Sequence, residues 1–345
     1  YQQDWYLSAV NMYSILPVWD VSLSVDFQYN KLNAVMRGVG TPFTFPQRYT
    51  TWAALATALN LGKWKLQADV LGTFVIEKVR NNVEAPDKSE FSPALIVGYK
   101  PFSNQDLNLR AFYKRIFRLP TFNDLYYAQI GFSQLNPEFT NQFNIGGSYQ
   151  KTFKTGMIDR IALQMDVYYA AITDKIIAAP TGSSFRWMMT NMGKVESKGV
   201  DVSTAVSGHV GLLKLHTNLA YSFTKAQDFT KINGKKLSSY GDQIPYTPWH
   251  SGSVIAGAEY GTWALNYSFI YVGERYNGAV NNIPRNYVEP WYTHDFSLQK
   301  EFRIRSRYLL KASVEMNNAL NQNYDVVLNY PMPGRNFRFV IGFSL

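Results

Sequence analysis

Cysteine is absent from the 345-residue sequence, which excludes a disulfide scaffold and any cysteine-ligated metal site. Charged residues are also scarce. They make up 17% of the chain, against the quarter or so found in an average soluble domain. No apolar run reaches the roughly 18 residues that a membrane-spanning helix requires. These shortages exclude a small disulfide-rich protein and a helical membrane protein, and they leave the compartment open.

The net charge of +9 is not concentrated anywhere in the sequence. Lys and Arg are scattered along the chain, whereas a nucleic-acid footprint is a clustered basic stripe. We therefore expect no nucleic-acid partner. We interpret the positive charge as the rim of a large surface, with attraction to anionic lipid headgroups or anionic ligands as the alternative.

Aromatic residues are abundant, at 16%, and apolar and polar side chains alternate with period 2. In residues 19–30 the odd positions are apolar and the even positions are polar. Because successive side chains of a strand face opposite ways, such a segment has one apolar face and one polar face. About fifteen segments show this pattern, near residues 3–14, 18–30, 48–60, 63–77, 91–100, 106–117, 138–152, 157–172, 194–207, 211–225, 249–260, 262–275, 290–303, 307–320 and 335–345.

The connections between these segments alternate between short turns and long loops. Outer-membrane barrels have tight periplasmic turns, long external loops and strands of about 9–11 residues in the membrane. Aromatic residues also cluster near the segment ends, as they do at a membrane boundary. The pattern predicts an all-β fold, a transmembrane antiparallel β-barrel in the outer membrane of a Gram-negative bacterium. The predicted external loops lie near 31–47, 78–90, 118–137, 173–193, 226–248, 276–289 and 321–334.

The order of the connections also orients the chain. The last one, 321–334, is long and therefore external, which places Leu345 on the periplasmic side. Counting back through about fifteen strands places Tyr1 on the external side, whereas single-chain bacterial barrels have an even number of strands. Since an open sheet edge is not tolerated in lipid, we expect further strands to precede Tyr1.

Residues 106–345 carry a series of motifs. They read FRLPTFNDLYY at Phe117–Tyr127, LNPEFTNQFNIG at Leu135–Gly146, NMGKVESKGVDVS at Asn191–Ser203, QIPYTPWHS at Gln243–Ser251 and NNALNQNYDVVLNYPMPGRNFRFVIGFSL at Asn317–Leu345. In this order and spacing they resemble the motifs of TonB-dependent receptors. Residues 1–105 resemble that family only in their pattern of strands and loops.

The resemblance implies a barrel of about 22 strands with an N-terminal plug domain in its lumen. Residues 1–345 would then be the C-terminal part of the β-barrel, because the plug domain and the first strands are not among them. We expect those parts either in a missing N-terminal portion or in a separate polypeptide. The TonB complex, acting through the plug, would be the energising partner.

The function that the resemblance implies is active uptake of a scarce nutrient without covalent chemistry, so we expect no enzyme and no intrinsic cofactor. The YPMPGRNF segment at Tyr330–Phe337 resembles cobalamin- and siderophore-receptor branches, and it favours cobalamin or a ferric siderophore as the ligand. Further expected partners are lipid or lipopolysaccharide and a surface lipoprotein.

Several alternatives remain open. A passive diffusion porin would need a constricting inward loop and an even strand count within one chain. A heme receptor fits FRLP at 117–120 and NPEF at 136–139 loosely, but no histidine lies between them. A barrel enzyme would need a nucleophile, a histidine and an acid together, whereas the four histidines are scattered. A soluble all-β binding protein is the last alternative.

Ligand contacts are expected from external loops and upper lumen walls, since pockets combine aromatic side chains with a few polar groups. Segment 185–187 is of particular interest because it places aromatics in a polar loop. Calcium in an external loop is a second expectation, from the oxygen ligands of Glu84, Asp87 and Glu90, although a solvated loop is the simpler interpretation. The candidate ligand-binding residues are Arg37, Tyr126, Tyr127, Phe132, Arg186, Trp187, Tyr276, Arg285 and Tyr330.

Overall fold

The computed structural model describes residues 1–34, 43–127, 130–180, 187–304 and 308–344. Its main element is a 15-stranded antiparallel sheet in which each strand pairs with the next along the chain. The strands of this sheet are β1 (Gln2–Leu16), β2 (Trp19–Leu32), β3 (Gln47–Leu61), β4 (Trp64–Lys78), β5 (Lys88–Tyr99), β6 (Asp106–Arg118), β7 (Glu138–Thr152), β8 (Ile158–Pro180), β9 (Trp187–Val210), β10 (Leu213–Asp228), β13 (His250–Tyr260), β14 (Trp263–Val272), β17 (Trp291–Ile304), β18 (Tyr308–Asn317) and β21 (Asn336–Ser344).

The remaining elements are short and lie in the long connections. They are the helices α1 (Phe122–Tyr126) and α2 (Ile283–Asn286) and three ribbons, β11 (Lys231–Ile232) with β12 (Lys235–Lys236), β15 (Arg275–Tyr276) with β16 (Tyr287–Val288), and β19 (Asp325–Val327) with β20 (Tyr330–Pro331). Neither helix is long and apolar enough to cross a membrane. The sequence pattern did not predict these elements, because each is only a few residues long.

One face of the sheet is apolar and the other is polar. We call the apolar face the outer face and the polar face the inner face. On β8, Val167 pairs with Val200 of β9 on the outer face, whereas the next pair, Asp166 with Asp201, lies on the inner face. Apolar side chains of the outer face remain exposed, as Leu163 and Val167 do at 42% and 46%. This two-faced antiparallel sheet confirms the predicted all-β architecture.

The two ends of the sheet differ as the sequence predicts. At one end, strands are joined by two-residue turns such as Gly62-Lys63 and Gly211-Leu212. Gly62 and Gly211 have φ of 63° and 59°, a left-handed conformation that glycine adopts without the steric cost of a side chain. The other end carries the long connections, which we call the loop end.

One predicted loop is mostly strand. The sequence predicts a loop at 173–193, but β8 and β9 continue as a paired hairpin up to Pro180 and Trp187. The apolar residues Ile172 and Ile176 explain this extension, because each is buried against neighbouring loops. Packing by those loops therefore supports strand pairing beyond the sheet.

Candidate functional site

The first group of packed loops at the loop end is centred on Tyr126. This cluster joins the β4–β5 connection, the β6–β7 connection and the β8–β9 hairpin, and its buried members are Ala85, Leu125, Tyr126, Leu135 and Ile176. The hydroxyl of Tyr126 accepts a hydrogen bond from the backbone N–H of Ala85 at 3.1 Å. Burial raises the pKa of Tyr126 to about 12, so the neutral phenol ties two loops together.

Helix α1 is fixed by a capping box and by a half-buried arginine. Thr121 accepts from the N–H of Asp124 at 3.2 Å, and the Asp124 carboxylate accepts from the N–H of Thr121 at 2.8 Å. Arg48 pairs with Glu77, donates to the carbonyl of Pro120 at 2.8 Å and lies 5.0 Å from the ring centre of Phe122. The FRLPTFND segment therefore positions a loop on the strand ends.

The NPEF segment acts in the same way on the β8–β9 hairpin. The Glu138 carboxylate accepts from the N–H of Ile176 at 3.0 Å and pairs with Arg118 at 3.2 Å. Asn136 and Asn191 exchange hydrogen bonds between side chain and backbone at 2.9 and 3.0 Å. Both motifs therefore organise loops.

A second cluster folds the β10–β13 connection onto β8, β9 and β10. Its buried members are Ile172, Met192, Val195, Ala226 and Ile244. Asp228, 1% exposed, accepts from the N–H of Thr230 at 2.8 Å and from the hydroxyl of Ser239 at 2.6 Å. A carboxyl group buried this deeply needs such hydrogen-bond partners, and these bonds fix the base of the loop.

The next connection is linked to this one through amides and a buried guanidinium. Gln243 and Asn281 exchange hydrogen bonds at 2.7 and 3.0 Å. Arg275 is 3% exposed and donates to the carbonyl of Asp325 at 3.0 Å, which ties residues 273–290 to residues 318–335. Burial lowers the pKa of the Arg275 guanidinium.

A groove of about 400 Å³ lies between these last two connections, within the size range of ligand pockets. Tyr287, Tyr324 and Met332 supply apolar surface there, and Glu289 and Asp325 supply carboxyl groups. Trp291 stacks on Tyr324 with ring centres 4.6 Å apart. The groove has the mixture of aromatic and polar groups that small-molecule sites share.

The inner wall carries polar contacts that cross over glycines. Arg110 of β6 and Asp166 of β8 form an ion pair at 2.8 Å, above Gly146 of the intervening strand. In the same way, the hydroxyls of Tyr168 of β8 and Thr224 of β10 are 2.7 Å apart above Gly199 of β9. These contacts form a polar surface along the wall.

The structure places the predicted ligand residues in two separate groups. Tyr127 and Phe132 are 54% and 46% exposed beside the buried Tyr126. Tyr276 packs against Tyr287 with ring centres 5.7 Å apart, near the exposed Arg285 of α2, and Tyr330 is 58% exposed. Among the described residues, no hydrogen bond or ring contact joins the first pair to the second group.

Several other predicted ligand-binding residues are not tested by the structure. Arg37, Phe185 and Arg186 fall outside the described residues, and so does the side chain of Trp187. Tyr126 is within the described part, but its ring is buried and its hydroxyl is occupied by Ala85. It therefore offers little surface to a ligand in this structure.

Calcium binding also stays a prediction. Asp87 accepts from the N–H of Glu77 at 3.0 Å, and Glu90 lies 3.9 Å from Arg115. Within the described ranges, no three His, Cys, Asp or Glu side chains are placed to hold a metal ion. Two histidines, His250 and His294, lie within hydrogen-bonding distance of Tyr221 and Tyr267 at 2.8 and 2.9 Å.

Sequence reasoning missed several residues that organise the loop end. These residues are Arg48, Glu138, Asp228 and Arg275. Except for Asp228, each has a hydrogen-bond partner far away in sequence, as Arg48 has in Pro120 with a separation of 72 residues. Their partners depend on how loops pack, and alternation gives no signal for that. Their position next to strand ends was the only available indication.

The chain belongs to the TonB-dependent receptor-like β-barrel family, because the family model matches residues 2–319. Members of this family are transporters in the outer membrane of Gram-negative bacteria and are not enzymes. The predicted barrel fold and outer-membrane location are thereby confirmed.

Solved structures show the same fold at low identity. The ferric citrate transporter FecA in its unliganded form has a TM-score of 0.70 and 14% identity over 99% of this chain and 54% of that chain. The FrpB iron transporter from Neisseria meningitidis has a TM-score of 0.69 and 12% identity over 99% of this chain and 56% of that chain. The copper transporter OprC has a TM-score of 0.69 and 14% identity over 97% of this chain and 55% of that chain. The chain thus spans about half the length of the structures it matches.

Proposed function

We propose that the chain forms part of the wall of a receptor that imports a scarce chelated metal or cofactor across the outer membrane, energised by the TonB complex. Membership of the family over residues 2–319 is the observation that carries this proposal. The polar inner wall and the packed loops support it. A sheet with one apolar face and one polar face separates lipid from an aqueous or protein-filled lumen.

The loop end provides the physical basis for ligand capture. Its loops are cross-linked by buried polar contacts, such as Arg275 with the Asp325 carbonyl, so exposed aromatic side chains are held in place before a ligand arrives. Pre-organised groups lose less conformational entropy on binding. The groove beside Tyr287 and Tyr324 is our candidate for one part of the ligand site.

The inner wall provides a second surface. Arg110, Asp166, Asp201 and Ser222 present charged and hydroxyl groups to the lumen side. Such a surface suits a polar plug domain that is held to the wall by hydrogen bonds. These hydrogen bonds would rearrange when TonB pulls on the plug domain. The plug and the first strands, whether in the same or a separate polypeptide, complete this proposal.

For the ligand we propose a ferric siderophore or cobalamin. The YPMPGRNF segment supports both branches, and the fold neighbours include transporters named for ferric citrate, for a ferric catecholate and for copper. Carboxyl groups at Glu289 and Asp325 in the groove fit a ligand with cationic or hydroxyl groups. The arginines Arg37 and Arg186 remain candidates for an anionic chelate, and a surface lipoprotein remains a candidate partner.

Uptake by cells that express the whole receptor tests the proposal. Three probes are compared, namely 55Fe-citrate, a 55Fe-catecholate chelate and 57Co-cyanocobalamin, in cells with and without functional TonB. We expect saturable uptake of one probe that disappears without TonB. Heme as the sole iron source is the fourth arm, and growth on it alone would establish the heme-receptor alternative.

The porin alternative makes the opposite prediction. A passive channel would admit small solutes without saturation and without TonB. Uptake that persists in cells lacking TonB, at a rate proportional to probe concentration, would therefore overturn the receptor proposal.

A further inference from the structure

Lysines lie on the outer face directly beyond the apolar band of the sheet. On β10, the outer-face positions from Leu213 to Phe223 are apolar or aromatic apart from Thr217, and the next outer position is Lys225. On β9, which runs in the opposite direction, Val202 and Val200 lie within the apolar band and Lys198 is the next outer position towards the loop end. The alternation of the strands thus places both ammonium groups where the membrane-facing surface ends.

Lys198 and Lys225 are a directly opposed pair. Like charges at directly opposed positions destabilise a strand pair. Lys225 lies 4.8 Å from the ring centre of Trp249, and Lys198 is exposed. Neither lysine has an ion pair with a carboxylate in the part of the chain that the structure describes. The opposed charges therefore lack an internal counterion.

The β11–β12 ribbon adds further lysines near Lys194 of β9. The N–H of Phe229 donates to the carbonyl of Lys194 at 2.8 Å, and Tyr240 packs edge-on against Phe229 with ring centres 5.3 Å apart. Lys231 and Lys236 lie 5.8 and 4.4 Å from the ring centre of Tyr240. The ribbon is thereby anchored next to Lys194 of β9, and Lys231 and Lys236 extend the basic surface.

We call this surface the lysine patch, with members Lys194, Lys198, Lys225, Lys231 and Lys236. Two carboxylates lie close to it. Glu196 is paired with Lys194 at 2.7 Å, and Asp228 is buried with its oxygens bonded to Thr230 and Ser239. The patch therefore has a clear excess of positive charge.

We propose that the lysine patch binds the phosphate groups of an outer-leaflet lipid, of the phosphorylated glycolipid class to which lipid A belongs. A lysine near an anionic membrane surface is attracted to it electrostatically. The acyl chains of the same lipid would pack on Val200 and Phe223, directly below the pair on the outer face. This combination favours a lipid over a soluble anion, which would gain nothing from the apolar surface.

Two consequences follow for the molecule. The bound phosphates neutralise the repulsion between Lys198 and Lys225, and they hold the β11–β12 ribbon at the membrane surface. The ribbon belongs to the same connection as Gln243, which is bonded to Asn281 of the next loop. Lipid binding would therefore also steady the loop end, independently of which nutrient the receptor carries.

The test uses the whole receptor, purified in detergent and stripped of lipid, with bis-phosphorylated lipid A added in mixed micelles. Bound lipid is counted by native mass spectrometry. We expect the Lys198→Gln, Lys225→Gln double variant to raise the Kd by roughly 30-fold, the equivalent of about 2 kcal/mol. The Lys198→Arg, Lys225→Arg variant should retain the affinity, because it keeps both charges.

Lys300 provides a matched control. It lies 4.3 Å from the ring centre of Trp263, as Lys225 does from Trp249, but at the short-turn end of the outer face. Lys300→Gln should leave lipid A binding unchanged. A thermal scan without lipid separates charge from folding, since the double Gln variant should then unfold at the wild-type temperature or higher.

Three results would overturn the proposal. One is unchanged lipid A affinity in the double Gln variant. The second is that lipid A without its phosphates binds as tightly as phosphorylated lipid A. That result would show that the lipid is held by the apolar surface alone. Displacement of lipid A by millimolar inorganic phosphate would likewise assign the patch to a soluble anion.

Discussion

Arg110 and Asp166 form an ion pair although their strands are not neighbours. Three nitrogen–oxygen contacts at 2.8, 2.9 and 3.3 Å join them, and the pair crosses β7 above Gly146. A Cβ atom at Gly146 would lie 2.1 Å from the Asp166 carboxylate and 2.8 Å from the backbone carbonyl of Met165. The pair therefore depends on the absence of a side chain between its partners.

Gly146→Ala should consequently break this contact and strain the strand. We expect a loss of about 1–3 kcal/mol in the free energy of unfolding, the usual cost of overpacking, measured by urea titration of the whole receptor in detergent micelles. Gly147→Ala is the control, because its Cβ would meet the movable end of Leu109 at 3.1 Å and the Asn108 carbonyl at an ordinary contact distance of 3.5 Å. Equal losses in both variants would show that the ion pair is not the cause.

The sequence predicted this region as a strand but not its contacts. Alternation assigns Gly146 and Gly199 to β7 and β9, since a period of 2 survives a missing side chain. The contacts above these glycines depend on strand register. For example, Gly199 must pair with both Tyr168 and Thr224 for their hydroxyls to meet above it. Register follows from pairing of whole strands, which no single segment specifies.

The candidate site was predicted less well, for a related reason. Exposed loop aromatics such as Tyr330 could be selected by composition. The buried ones could not be separated from them, as the neighbours Tyr126 and Tyr127 show, at 8% and 54% exposure. Burial of Tyr126 results from packing of the distant Ala85 and Ile176, which sequence distance conceals.

Tyr126→Phe should loosen the β4–β5 connection. The change leaves the N–H of Ala85 without its acceptor, and a buried unsatisfied donor costs about 1–3 kcal/mol. Hydrogen exchange of the Ala85 amide, at neutral pH in the whole receptor, should accelerate by the corresponding factor. Tyr127→Phe, which alters an exposed ring next in sequence, should leave that amide unchanged.

Alkaline pH should have a related effect on the same tyrosine. Burial raises its pKa from the model-compound value of 10.0 to about 12. Between these values the unfolded chain loses the phenolic proton while the folded chain keeps it, so stability falls as pH rises. The stability advantage of the wild type over Tyr126→Phe should therefore shrink between about pH 10 and pH 12, as measured by urea unfolding. A constant difference across that range would contradict the assignment.

Arg48 should be the most sensitive polar residue of the loop end. Its side chain and that of Glu77 are 12% and 3% exposed, and loss of one partner from a buried pair costs about 3–5 kcal/mol. Arg48→Ala should also release the Pro120 carbonyl, so protease cleavage within 119–137 of the whole receptor should accelerate. Adding Glu77→Gln should restore part of the stability, because no buried charge is then left alone.

Tyr330 offers the sharpest test of the loop end as a ligand-binding surface. Its ring is 58% exposed in the connection that borders the groove, and Tyr260, at the short-turn end, is also 58% exposed. An aromatic side chain in a binding site contributes about 2 kcal/mol or more when it is a central contact. If Tyr330 touches the ligand, Tyr330→Ala should raise the KM of TonB-dependent uptake at least tenfold, about 1.4 kcal/mol, while Tyr260→Ala leaves it unchanged. Equal KM values in both variants, with normal amounts of receptor in the membrane, would remove Tyr330 from the site.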